Sequence, residues 1–145
     1  MRRIAGILSL ASIAVVLGTS GCSTLHHSGA AALQGTWIGR EIGVSPEIPR
    51  RLVISSRHME YRGANPDDWG KGTFTLGEDT QPKQLRVALT DCGLPQYIGK
   101  TCCMIYKTED GTLTAAANEP GNPATPSSFD APGARRMVFK KEQGK

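Results

Sequence analysis

The chain has few aromatic residues, about 6% of 145, and no marked excess of charge of either sign. It has only three His and four Cys, and no apolar stretch long enough to cross a membrane as a helix. Each shortage excludes something. The formal charge of +4 falls once Arg2 and Arg3 are set aside as part of a targeting segment, leaving 15 basic against 13 acidic residues. Nucleic-acid binders carry a dense basic stripe. Here the basic residues cluster only as Arg50-Arg51, Arg135-Arg136 and Lys140-Lys141, pairs that read as solvated strand ends. No nucleic-acid partner is expected. The sequence also lacks an H-E-x-x-H motif, a phosphate-cradling glycine loop and a G-x-S-x-G elbow. No ten-residue window beyond Leu33 keeps a helical period, which argues against a helical fold.

The first segment reads as a secretory signal. Arg2 and Arg3 precede the uncharged apolar run Ile4 to Leu17, and Gly18-Thr19-Ser20-Gly21 follow as small residues. That run falls short of the about 20 residues a spanning helix needs. Cys22 follows the small residues directly, in the manner of a bacterial lipoprotein box. The reading is a signal over 1–21 and an acylated Cys22 that anchors the chain to a membrane. Ser23 at the next position, rather than Asp, points to the outer membrane facing the periplasm. The box is imperfect, with Thr19 where an aliphatic residue is usual, and ordinary signal cleavage with secretion is the competing reading. Residues 22–32 are small and polar and read as a flexible tether. His26-His27 stand alone there and read as linker residues rather than metal ligands.

From Leu33 onward, strand signals dominate. Phe74 and Leu76 alternate with Thr73 and Thr75; Leu85, Val87 and Leu89 alternate with Arg86, Ala88 and Thr90. A period of two marks strands with one buried and one wet face, usual in antiparallel sheets. Further runs lie at 34–42, 51–55, 57–61, 101–107, 112–117 and 136–140. Asp110-Gly111 between two of them is the strongest hairpin signal. Eight short strands over residues 33–141 predict an all-β, antiparallel, eight-stranded barrel, with a two-sheet sandwich as the alternative. Residues 142–145 form a tail.

The segment Asn118 to Ala134 contains Pro120, Pro123, Pro126 and Pro132 and cannot be a central strand. Its large apolar residue, Phe129, either pins it to the barrel or lines the mouth. Trp69, after Asp67-Asp68, is either folded onto the sheet or part of a binding rim. Trp69 and Phe129 are the candidate rim residues.

Leu33-Gln34-Gly35-Thr36-Trp37, then Gly72-Thr73-Phe74-Thr75-Leu76, Pro82 to Val87, Gly99-Lys100-Thr101, Ile105-Tyr106 and Asp110 to Leu113 form an ordered set. In this order they resemble the planctomycete-type small domain, often borne by lipoproteins, that opens with Leu-Gln-Gly-x-Trp. The resemblance covers 33–141. It implies a fold and an envelope compartment rather than an activity. Family members commonly carry Arg-Pro-Thr-x-Phe before the last strand; here the stretch is Ala124-Thr125-Pro126-Ser127-Ser128-Phe129, without the Arg. Gly35-x-Trp37 also resembles the first strand of lipocalins. That resemblance implies a barrel floor built from Gly35, Trp37 and a late Arg stacked on the indole. Arg135 and Arg136 are both placed for this, and alternation favours Arg136.

Cys92, Cys102 and Cys103 remain after the anchor. If Leu85, Val87 and Leu89 face inward, strict alternation turns Cys92 outward; if Cys103 and Ile105 face inward, Cys102 turns outward too. A Cys92–Cys102 disulfide is expected on that parity, with Cys92–Cys103 as the alternative. Adjacent cysteines give neither a redox C-x-x-C nor zinc spacing, and no metal or cofactor is expected. His58 lies opposite Met59 and Tyr61 and reads as solvent-facing. No catalytic residue is assigned. The expected function is a non-enzymatic barrel that binds a small apolar ligand or lipid. A structural or protein-interaction module of the envelope, with an envelope protein as partner, is one alternative, and a hydrolase is another. A cavity above about 300 Å³ favours the first. A Ser, His58 and a carboxylate gathered in one cleft would favour the last.

Overall fold

The computed structural model describes residues 29–144. A short helix, α1 (Gly29–Leu33), leads into eight strands: β1 (Gly35–Glu41), β2 (Arg50–Ser55), β3 (His58–Arg62), β4 (Trp69–Gly77), β5 (Lys83–Cys92), β6 (Thr101–Glu109), β7 (Thr112–Ala117) and β8 (Arg135–Lys141). Each strand pairs antiparallel with the next, and β8 returns to β1, so the sheet closes into a barrel. The sandwich alternative is thereby excluded. Closure leaves no sheet edge free for pairing with another chain. Among the described residues no helix is long and apolar enough to cross a membrane. Cys22, His26 and His27 lie outside the described residues.

One end of the barrel is plugged. Leu33, Trp37, Phe74 and Phe139 are almost fully buried there with Leu85 and Leu113. The opening motif explains the plug residue by residue. Leu33 fills the floor, and its carbonyl accepts a hydrogen bond from the Trp37 Nε1–H at 2.9 Å. Gln34 clamps the β2–β3 turn: its Oε1 accepts from the Ser56 amide at 2.7 Å and its Nε2 donates to the Ser56 carbonyl at 3.0 Å. Gly35 has φ +120°, a conformation that L side chains rarely adopt. Residues 29–32, expected at the end of the tether, instead belong to this plug: they form most of α1, and Ala30 is buried.

The late cation on Trp37 is Lys141, whose Nζ lies 5.4 Å from the ring centroid. Register decides this, because Trp37 stands opposite Lys141 across the β1–β8 seam. Arg136, the expected partner, faces out of the barrel and pairs with Asp130 at 2.6 Å. Its parity is opposite to that of Arg135, Met137 and Phe139.

The tight β6–β7 turn carries Asp110 at φ 49° and Gly111 at φ 70°, two positive values in a row, as a type I′ hairpin requires. The Pro-rich segment 118–134 crosses the outside of β6, β7 and β8. The Asn118 amide donates to the Cys103 carbonyl at 3.1 Å and the Gly121 amide to the Thr101 carbonyl at 2.9 Å. Under this cover the outward residues Cys103, Ile105 and Ala116 are buried at 4%, 1% and 0% exposure. A second apolar layer therefore lies outside the barrel on this side. That is why β6 and β7 are buried on both faces.

Candidate functional site

Strand direction places four connections at the open end: 42–49, 63–68, 93–100 and 118–134. Between them lies a cavity of about 410 Å³, within the usual range for small-molecule sites. Its base is Phe139, Leu52 and Val87; its walls are Met59, Leu89, Met104, Ala117 and Met137; its rim includes Tyr61, Trp69, Leu94 and Tyr97. The space follows from the distribution of side-chain size. Trp37, Phe74, Phe139 and Leu33 fill the plugged half, whereas Gly70, Ala117 and Gly133 leave the open half wide. Phe74 and Leu85 belong to the packed half, while Val87, Leu89 and Met104 line the cavity.

Five of the six sulfur atoms in the described residues line this one space: Met59, Cys92, Cys102, Met104 and Met137. Methionine is flexible and polarisable, so such a wall adapts to more than one ligand shape and favours aromatic contacts.

The cysteines depart from expectation in pairing and in facing. Cys92, Cys102 and Cys103 are all free. The disulfide, Cys92–Cys102 or Cys92–Cys103, is therefore corrected. Facing and pairing have separate causes: a β-bulge turns Cys92 inward, and register holds Cys102 opposite Val87, away from Cys92. Gly72 pairs with Leu89 but Lys71 pairs with Asp91, so Thr90 is an extra residue in β5. One extra residue reverses the alternation. Cys92 consequently turns inward, where its thiol donates to the Leu94 carbonyl at 3.0 Å. Cys102 stands opposite the inward Val87 and is inward as well, donating to the Asn118 carbonyl at 3.4 Å. Cys103 points outward beneath the Pro-rich segment, its sulfur 3.9 Å from the Pro123 carbonyl oxygen. Burial pushes the Cys102 thiol up to about 11, so it is uncharged at neutral pH.

A charged network crosses the mouth. Glu41 at the end of β1, Arg50 at the start of β2 and Arg135 at the start of β8 all point inward. Arg135 donates to Glu41 at 2.8 and 3.1 Å, to Asp68 at 3.2 and 3.3 Å, and to the Tyr61 hydroxyl at 3.3 Å. Arg50, almost fully buried, reaches Glu41 at 3.3 Å and the Ile48 carbonyl at 3.2 Å. The Arg135 hydrogen bonds hold the Glu41 carboxyl below its ordinary value, against the opposing effect of burial. The same bonds to Glu41 raise the Arg135 guanidinium, so it is permanently charged. Burial pushes Tyr61 up to about 12, and its hydroxyl stays protonated.

The two rim candidates separate. Trp69 lines the cavity, and the Arg62 guanidinium lies 5.8 Å from its ring centroid. Phe129 is not part of the lining; it sits outside the barrel with the Lys107 Nζ 5.3 Å from its ring centroid, pinning the Pro-rich segment. Sequence reasoning placed Arg135 only as the less favoured plug candidate beside Arg136 and missed it as a mouth residue. Glu41 was missed too, its only signal an acidic residue at the end of an alternating run, whereas Asp68 belongs to the Asp67-Asp68-Trp69 stretch that the sequence marks as a candidate rim and lines the cavity.

A second, shallower hollow of about 280 Å³ lies on the outer face of β2–β4, lined in part by Ser55, His58, Glu60 and Lys71. It does gather a Ser, a His and a carboxylate. Ser55 and His58 stand opposite each other in register, but no hydrogen bond joins the three side chains among the described residues, and Glu60 pairs with Arg62 at 3.4 Å. Activation of a nucleophile needs the base within hydrogen-bond reach. Among the described residues no group of three or more His, Cys, Asp or Glu is arranged to hold a metal ion. The chain matches no family model, no curated protein and no solved structure.

Proposed function

We propose that this protein is a lipid-anchored envelope protein whose barrel binds a small apolar molecule without transforming it. The observation that carries the binding reading is the cavity of about 410 Å³, closed at one end by the Trp37 plug and open at the other. Burial of apolar ligand surface there supplies about 25 cal/mol per Å² before the costs of association are subtracted. Interior residues that would fill a purely structural barrel are small or flexible in this half. The anchor rests on Cys22 and the signal before it, and the likeness to the lipoprotein-borne domain supports the same compartment. Outer-membrane attachment facing the periplasm is the placement that Ser23 favours.

The test is binding of a neutral fluorescent probe, N-phenyl-1-naphthylamine, to the purified mature protein. Uptake with micromolar affinity and one-to-one stoichiometry is expected. Absence of uptake, together with no co-purifying small molecule in native mass spectrometry of protein taken from its own membrane, would refute the reading. In that event the envelope-interaction alternative becomes the better one.

A further inference from the structure

The charges around the cavity mouth are unequal once internal pairs are removed. Four charged side chains belong to the lining: Asp67, Asp68, Glu119 and Arg135. The Arg135 guanidinium is fully engaged, its Nε, Nη1 and Nη2 all bonded to Glu41, Asp68 and Tyr61. Asp68 is spent on Arg135. Glu41, just behind, is shared by Arg135 and Arg50, so the whole network of two guanidinium groups and two carboxylates is neutral.

Asp67 and Glu119 are left over. Both are exposed, and among the described residues neither forms an ion pair; Glu119 accepts a hydrogen bond from the Tyr97 hydroxyl. They flank one segment of the rim. The Asp67 backbone packs against Gly93, and Glu119 meets Tyr97, with Leu94 between. Two cations lie nearby but outside the lining: Arg62, paired with Glu60, and Lys100, whose chain runs along Gly121. An anionic head group entering this mouth meets two carboxylates and, among the lining residues, no cation free of an ion pair; Lys100, in no ion pair among the described residues, lies outside the lining, along Gly121. A cationic head group meets two carboxylates with capacity to spare.

We propose that the ligand is an apolar molecule bearing an amine. Its body lies among Met59, Met104, Met137 and Cys102, and its ammonium group sits at the rim between Asp67 and Glu119. This rests on the ligand-binding reading above and adds the chemical class. The sulfur wall suits a polarisable body, which gains contacts with thioethers that a rigid aliphatic wall does not offer. The two carboxylates supply orientation and selectivity. At a solvated rim each contributes modestly, and salt screens the effect.

The experiment displaces bound N-phenyl-1-naphthylamine from the mature protein at neutral pH and low salt with a matched pair, dodecylamine and dodecanoate. Dodecylamine is expected to displace the probe at a concentration at least about tenfold lower, with the gap narrowing at high salt. In the double variant Asp67→Asn with Glu119→Gln, the ratio should fall toward one. A melting curve checks that the variant is folded, and the probe's affinity for it is measured separately. Dodecanoate displacing as well as the amine, or a ratio unmoved in the double variant, overturns the proposal while leaving the cavity reading intact. A mature protein that takes up no neutral probe and carries no co-purifying small molecule overturns both.

Discussion

Arg135 and Glu41 are 94 positions apart in the sequence, yet two hydrogen bonds of 2.8 and 3.1 Å join them at the barrel mouth. They sit on the two strands that close the sheet, so the pair spans the seam between the first and last strands. Glu41 gains its partners only on folding, and its folded carboxyl lies below the ordinary 4.5. A carboxylate lowered in this way contributes stability that is present above its unfolded value and lost as pH falls through the folded one. The urea midpoint of the wild type should therefore drop on acidification from about 4.5 downward. Glu41→Gln should flatten that part of the profile and cost about 1–3 kcal/mol near neutral pH, since it leaves Arg50 short of a buried partner. A profile with the same acid slope in the variant would show that Glu41 is not the group responsible.

Trp37 is 2% exposed and joins the plug helix to the barrel through its indole N–H. Trp37→Ala should destabilise the protein by roughly 3–5 kcal/mol. Lys141→Ala removes only the cation above the ring and should cost roughly 0.5–2 kcal/mol. Equilibrium denaturation measures both. An unchanged midpoint for Trp37→Ala would remove this residue from the plug.

The free thiols make a chemical prediction. A reducing agent should leave the melting temperature unchanged, because no disulfide joins Cys92 to Cys102 or Cys103. In the native state Cys102 should react slowly with iodoacetamide at neutral pH and faster as pH approaches about 11, where its thiolate forms. Peptide mapping after timed alkylation reads out each cysteine. A melting temperature that falls on reduction would show a bridge.

Ala117 lines the cavity on β7 and is 6% exposed. Ala117→Leu places a larger side chain into open space. It should weaken binding of the neutral probe by about tenfold or more, with a stability change within about 1–3 kcal/mol. Probe titration and a melting curve measure the two effects side by side. Full binding with Leu at this position would move the ligand elsewhere.

The anchor is tested at the N-terminus. Mass spectrometry of the mature protein should show an acylated Cys22 as the first residue, and Cys22→Ala should release the domain from membranes. An unmodified N-terminus elsewhere would exclude the lipid anchor and support secretion.

Much of the architecture was legible before folding was considered. Strict alternation at Thr73–Leu76 and Leu85–Thr90, the Asp110-Gly111 turn and the prolines of 118–134 depend only on neighbours in the chain. They specified eight antiparallel strands and one segment excluded from the sheet. The Gly35-x-Trp37 pair marked the plug only through its resemblance to the first strand of lipocalins. The candidate site was less legible. Trp69 was placed at the rim by its position after a loop, and Phe129 by its isolation, but only one of them reaches the cavity.

What the tertiary structure decided was parity and register. A single extra residue at Thr90 turned Cys92 from the outer face to the inner one, while register set Cys102 opposite Val87 rather than Cys92, so the two inward thiols do not meet. Alternation within a strand shows which residues share a face, but not which face is inside when both are covered. On β6 the Pro-rich segment buries the outer face, so apolar Cys103 and Ile105 resemble core residues while Cys102 and Met104 line the cavity. Closure of β8 on β1 assigned Lys141 to Trp37, Arg135 to the mouth and Arg136 to Asp130. The sequence by itself determined the strands and turns, because those follow from local sterics and period. The cavity, its sulfur lining and its charged mouth were decided by pairings between distant residues, which depend on the closure of the whole sheet.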